Sequence, residues 1–130
     1  MKTILPDTSA LVDFLHGDRS LSDVLETADR VLITPIVLGE FFAGLKGDSR
    51  SRRQNNALSN LLEDSAVEYA SFTENTPLFY AKVFQYLKQI GKPIPTNDMW
   101  IAAFALETGS EILTRDLHFS RIPVLLVARV

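Results

Sequence analysis

The chain has no cysteine, so neither a disulfide nor a thiolate zinc site can hold it together, and a reducing compartment is the natural setting. It also lacks any long apolar run. Nothing approaches the roughly 18 residues that a membrane helix needs. The amino terminus, MKTILPDTSALVDFL, is broken by Pro6, Asp7 and Asp13 before it can form the apolar stretch of a signal peptide. These absences predict a soluble cytoplasmic protein with no membrane association. Positive charge is short as well: 13 Lys and Arg against 16 Asp and Glu leave a net charge of -3. That argues against a protein that grips duplex nucleic acid with a broad basic surface. It does not exclude chemistry on a polyanion, because carboxylates that hold a cation lower the formal charge while the cation restores it locally. There is no internal repeat and no low-complexity tract.

What is present fits one domain spanning residues 1–130, with 46% hydrophobic and 22% charged residues. Short apolar runs at Thr3–Leu5, Val31–Thr34, Ala66–Tyr69, Glu111–Thr114 and Val124–Val127 show little polar alternation, as strands buried on both faces do. Helical stripes separate them. Val37, Phe41 and Leu45 share one face, as do Leu58, Leu61 and Leu62. Tyr80, Val83, Phe84, Leu87 and Ile90 form a longer stripe, and Ile101, Ala102 and Ala105 another. Gly91, followed by Pro93, ends the long helix and Gly109 the next. The most polar stretch, residues 47–56, reads as a surface loop leading into a helix. Strand and helix in alternation predict an α/β fold with a parallel sheet and helices on both faces.

In such folds ligands bind beyond the carboxyl ends of the strands, where each following helix starts. Four acids belong there. Asp7 directly follows the first strand, and Asp116 follows the fourth in Leu113-Thr114-Arg115-Asp116. Asp98 starts the helix that leads into the fourth strand. Glu40 lies one or two turns into a helix that Thr34 caps and Pro35 opens. Each has a plainer alternative: Asp7 as a helix cap, Asp98 as a first-turn acid favoured by the helix dipole, Glu40 as a solvated surface acid, Asp116 as a turn residue. Two details favour convergence. Asp98 shares a face with Ile101, Ala102 and Ala105 and so points inward, and Glu40 shares a stripe with Ala43, Gly44 and Gly47, which leave space beside it. Inward carboxylates without a basic partner call for a cation, and oxygen-only ligation suits Mg²⁺ or Mn²⁺.

The stretches LPDTSALVDFL from Leu5, ITPIVLGEFFAGL from Ile33, PTNDMWIAAFALETG from Pro95 and ILTRDLHFSRI from Ile112 resemble, in order and spacing along the whole chain, the signature of PIN domains. In particular they resemble the VapC-type toxins of type II toxin–antitoxin systems. That resemblance implies a three-layer α/β/α domain with a central, mostly parallel five-stranded sheet in the order 3-2-1-4-5. It implies a Mg²⁺- or Mn²⁺-dependent endoribonuclease that leaves 5′-phosphate and 3′-hydroxyl ends, with a small cognate antitoxin as partner. Asp7 and Asp98 would be the firmest metal ligands, with Glu40 and Asp116 completing the shell or positioning the attacking water. Thr8 or Ser9 and Thr114 would orient them. One departure is Pro6, where a plain apolar residue is more usual; its expected effect is on strand pairing.

The remaining polar residues are weaker candidates. His16 reads as a helix-end residue and His118 as a support for the loop after Asp116. Arg50, Arg52 and Arg53 read first as a solvated face, yet they are the local candidates for RNA phosphates. Leu38 and Phe42 give the helix from Ile36 a second apolar face, which with Phe14 is a candidate partner surface; Phe79 and Tyr86 are a candidate homodimer face. Two rival enzymes are disfavoured. A haloacid-dehalogenase-type phosphatase needs an Asp where Ser9 stands, and a response-regulator receiver needs an Asp where Ser71 and Phe72 follow the third strand. The alternative from another class is a non-catalytic module that keeps the fold to bind protein or RNA.

Overall fold

The computed structural model describes residues 1–130, with the side chain of Arg129 left aside. Its elements run β1 (Thr3–Pro6), α1 (Thr8–Leu15), α2 (Arg19–Glu26), β2 (Arg30–Ile33), α3 (Pro35–Ala43), α4 (Ser49–Leu62), β3 (Val67–Tyr69), α5 (Thr76–Ile90), α6 (Thr96–Thr108), β4 (Glu111–Thr114), a 3-10 turn (His118–Arg121) and β5 (Leu126–Arg129). The strands form one sheet in the order β3-β2-β1-β4-β5, and every pairing is parallel. This is the expected order, made wholly rather than mostly parallel. The chain builds outward from β1 to β3, then crosses to the other side of β1 with β4. The reversal between β1 and β4 opens a crevice at their carboxyl ends.

The central strands carry the core. Ile4, Leu5, Leu32, Ile33, Ile112 and Leu113 are almost or wholly inaccessible, which is why these runs show no alternation. Pro6 keeps its place in the ladder opposite Leu113 and does not disturb the pairing. The missing donor of Pro6 is followed at once by the Asp7 N–H, which donates to the Leu113 carbonyl at 3.0 Å and carries the ladder one residue further. Phe104 and Phe119 are fully buried. At roughly 1.5–3 kcal/mol per large apolar side chain, Phe119 anchors a 3-10 turn that has few backbone bonds of its own.

Three local expectations shift. Residues 49–56 are helical rather than loop: Asp48 caps α4 by accepting from the Ser51 N–H at 2.8 Å, and the run of Arg, Gln and Asn lies on the water side while Ser51 and Leu58 face inward. Polarity there marks an exposed helix face, not a break. The α5 stripe narrows to Thr76, Val83 and Leu87, with Tyr80 beside them; Phe84 and Ile90 lie on its flank, 44% and 38% exposed. The last strand begins two residues later than expected, at Leu126, because Ile122 and Leu125 are buried in the connection below it. The expected helix stops hold: Gly91 and Gly109 both have φ of 67°, the left-handed conformation that a Cβ disfavours. No helix is long and apolar enough to cross a membrane.

Candidate active site

Asp7 serves the fold and the crevice at once. One carboxylate oxygen caps α1, accepting from the Ala10 N–H at 2.8 Å, and the other accepts from the Thr114 hydroxyl at 2.5 Å. The Thr114 hydroxyl in turn accepts from the Asp116 N–H at 2.8 Å. A single buried hydroxyl at the end of β4 thereby ties the acid after β1 to the loop that carries the acid after β4. Parallel pairing of these two strands makes that reach possible.

Glu40 comes in from α3, on the second turn after the Thr34 cap, whose hydroxyl accepts from the Val37 N–H at 3.1 Å. Its carboxylate accepts from the Thr8 hydroxyl at 2.6 Å, so the first residue of α1 orients an acid of α3. Asp98 lies in the first turn of α6 with Ile101, Ala102 and Ala105 buried on its face. His118, from the 3-10 turn, bridges two acids: Nδ1 is 3.2 Å from Asp98 Oδ2 and 3.1 Å from Asp116 Oδ2. Its backbone N–H also donates to Asp116 Oδ1 at 2.9 Å, so both oxygens of Asp116 are held by one residue.

All four predicted acids, with Thr8 and Ser9, line one open cleft of about 480 Å³ at the β1–β4 crevice. Its remaining wall is His118 and the start of α6, at Pro95, Thr96 and Asn97. Among the described residues no Lys or Arg lines it. Burial pushes the Asp7 carboxyl above its ordinary range; the hydrogen bonds from Thr114 and Ala10 pull it down, and the charges of Asp98 and Asp116 push it further up. Asp98 is raised too, chiefly by burial and then by Asp116 and Glu40, against the lowering effect of His118. Four carboxylates in a part-buried cleft, with one imidazole and no Lys or Arg among the lining residues, are a donor set that a hard divalent cation fits. The tightest grouping is Asp98, Asp116 and His118, whose donor atoms lie within 4.8 Å of one another. Both oxygens of Asp7 already accept hydrogen bonds, though each retains a free lone pair.

Against known families, residues 4–125 match the PIN domain. The chain belongs to the PIN-domain family. This PIN domain is 33% identical over 95 residues to Ribonuclease VapC1 of Haemophilus influenzae, covering 72% of this chain and 69% of that one. Its fold is similar to a structure of VapBC2 from Rickettsia felis bound to a promoter DNA fragment, with a TM-score of 0.85, 24% identity and 98% of both chains covered. It is likewise similar to VapBC-1 from nontypeable Haemophilus influenzae, with a TM-score of 0.80, 25% identity and 99% and 98% of the two chains covered.

Other candidate residues of the PIN domain lie elsewhere. Arg50, Arg52 and Arg53 are exposed on the first two turns of α4, and none lines the cleft. His16 follows the end of α1 as its cap and meets the Gln54 side chain. Phe14 and Leu38 are half-buried against the core, while Phe42 is exposed. Phe79 and Tyr86 line an apolar groove with Ile122 and Val124. From sequence His118 is a support for its loop or a contact to substrate; its bridge between Asp98 and Asp116 emerges only in the fold. The pattern Asp116-Leu117-His118 held a hint, because a side chain two residues beyond an acid can fold back over it, but the contact with Asp98 depends on α6.

Proposed function

We propose that this PIN domain is a divalent-metal-dependent endoribonuclease and the toxin of a toxin–antitoxin pair. The observation that carries the reading is the convergence of Asp7, Glu40, Asp98 and Asp116 in one cleft that, among the described residues, no Lys or Arg lines. The relatives named ribonucleases and the similar structures of VapBC complexes support it. Asp98 and Asp116, with Asp7 and Glu40 beside them, would hold Mg²⁺ or Mn²⁺. Such an ion, when bound, acidifies water and offsets the charge that develops on a phosphodiester under attack.

The chain's own groups do the rest. Thr114 fixes Asp7, Thr8 fixes Glu40, and His118 fixes Asp98 and Asp116, so the four carboxylates meet the substrate without reorganising. Glu40, half-buried and held at one oxygen only, keeps the other to accept a proton from the attacking water. Ser9 stands exposed at the rim, where a phosphate oxygen would pass. Attack of water on phosphorus with the 3′-oxygen leaving breaks the P–O3′ bond, gives a 5′-phosphate and a 3′-hydroxyl, and needs no 2′-hydroxyl nucleophile. A small antitoxin would cover Phe14, Leu38 and Phe42 and reach a basic side chain into the acids, competing with the metal. The groove at Phe79 and Tyr86 would take a second copy of the chain.

The test is cleavage of single-stranded RNA in millimolar Mg²⁺ or Mn²⁺, with EDTA and Asp98→Asn as controls. Cleavage that needs metal and falls about a hundredfold or more in Asp98→Asn is expected. Cleavage that persists undiminished in EDTA overturns the metal-dependent reading.

A further inference from the structure

Beside the acid cleft lies a second concavity, of about 540 Å³, which shares Ser9, Asp116 and His118 with it and adds Arg115 and Arg121. The two hollows therefore adjoin along Ser9, Asp116 and His118 as one trough-like surface, with the acids on one side and the arginines on the other. The two arginines are not equivalent. Arg115 is already neutralised: its guanidinium pairs with Asp13 at 2.9 Å and Asp18 at 2.7 Å and also donates to Ser20 at 3.0 Å. Those contacts tie the start of β4's loop to α1 and α2 and leave it little charge to offer. Arg121 pairs with no acid among the described residues and uses one donor, Nη1, on the Pro93 carbonyl at 3.0 Å.

Two features aim that free charge. Residues three apart on a 3-10 helix project from the same side, so Arg121 shares a side of the turn, and the second hollow, with His118, which reaches into the acids. The bond to Pro93 ties the arm to the segment just before α6, whose first turn forms the cleft wall. A fully buried Phe119 holds the turn between them. A polyanion laid across four carboxylates meets repulsion wherever its own phosphates are not matched. One unneutralised guanidinium at the trough's far end is the group that can hold the phosphate next to the reacting one.

Resting on the ribonuclease reading, we infer that Arg121 is a phosphate-binding residue that fixes the path of single-stranded RNA through the trough, binding the phosphate that neighbours the scissile one. It touches substrate away from the reacting atoms, so its role is in affinity and register rather than in the chemical step.

The test compares wild type with Arg121→Gln, which keeps an N–H donor for Pro93 but loses the charge, and Arg121→Lys, which keeps the charge. Anisotropy of a fluorescent single-stranded RNA is read across salt concentrations in an Asp98→Asn background with Mg²⁺, and KM and kcat are read in the active protein. Arg121→Gln should weaken binding and raise KM about tenfold with kcat little changed. It should lower the slope of log affinity against log salt by about 0.7, the value of one single-strand phosphate contact. Arg121→Lys should recover most of both, and Lys2→Ala, exposed before β1 at the end of the sheet opposite the cleft, should change neither. Thermal melts confirm that each variant is folded. If wild type cleaves RNA and Arg121→Gln binds it with unchanged affinity and slope, the inference is overturned and the ribonuclease reading stands. If Lys2→Ala loses as much as Arg121→Gln, the charge acts by general attraction and the inference is again overturned. If wild type neither binds nor cleaves RNA, both readings fall together.

Discussion

The Thr114 hydroxyl is the smallest group on which the cleft depends. It is fully buried, donates to Asp7 and accepts from the Asp116 N–H, so it joins acids from two strands. Thr114→Val keeps the shape and removes both bonds, leaving a buried N–H and one carboxylate oxygen without a partner. The expected cost is about 1–3 kcal/mol of stability, read by chemical denaturation. Asp7 also loses a bond that lowers its carboxyl, so cleavage should fall while the fold survives. A variant as stable and as active as wild type would show that the hydroxyl is incidental. Thr8 is the same device at a half-buried position, one hydroxyl steadying Glu40.

At the scale of elements, helix starts and strand ends place the acids, while the 3-10 turn completes the site. That turn carries His118 and Arg121 on the side facing the trough and Phe119 on the side facing the core. Phe119→Ala should cost about 3–5 kcal/mol, the usual range for a fully buried aromatic. It should also loosen the bridge from His118 to Asp98 and Asp116, so activity should fall further than the lost folded fraction explains. Activity that simply tracks the folded fraction would show that the turn's position does not matter to the chemistry. The element whose character was hardest to read is α4. Its first turns are nearly all polar, and only the inward positions Ser51 and Leu58 betray the helix period.

For the whole molecule, the raised carboxyls of Asp7 and Asp98 make stability depend on pH and on metal. Below the ordinary carboxylate range both folded and unfolded chains hold these protons, and stability does not respond to them. Above it the unfolded chain gives them up while the folded chain still keeps them, so stability falls as pH rises through the raised values. Asp18, held down to about 2 by Ser20 and Arg115, acts in the other window: its contribution is lost as pH falls below the ordinary range. The metal-free protein should therefore melt at progressively lower temperature from mildly acidic to neutral pH. Millimolar Mg²⁺ should restore the loss by binding the folded cleft alone, and Asp98→Asn should flatten both effects. Equal melting temperatures in EDTA and in millimolar Mn²⁺ at neutral pH would contradict a converging acid site.

How much of this was legible beforehand follows from what each feature depends on. Strand type and the α/β class rest on local burial, which period and composition record directly in runs such as Val31–Ile33 and Ile112–Thr114. The four acids were legible for a reason one step longer: in parallel α/β folds strand ends and helix starts share an edge, so chain position alone predicts a common rim. The helical start of α4 was not legible, because charge on a solvated helix face and charge on a loop look alike until a cap such as Asp48 is seen bonded. Nor were the choice of Arg121 over Arg50, Arg52 and Arg53 and the bridge made by His118. Those depend on which side chains from α6, the β4–β5 connection and α1 arrive within a few ångströms of one another. Sequence by itself determined the α/β class, most of the strands and the edge on which the acids lie, since these follow from local periodicity and strand polarity. Only the tertiary structure decided which charges are neutralised, which stay free and which hydroxyl ties them together, because electrostatics and hydrogen bonding act through distance in space, and the chain encodes that distance only after it has packed.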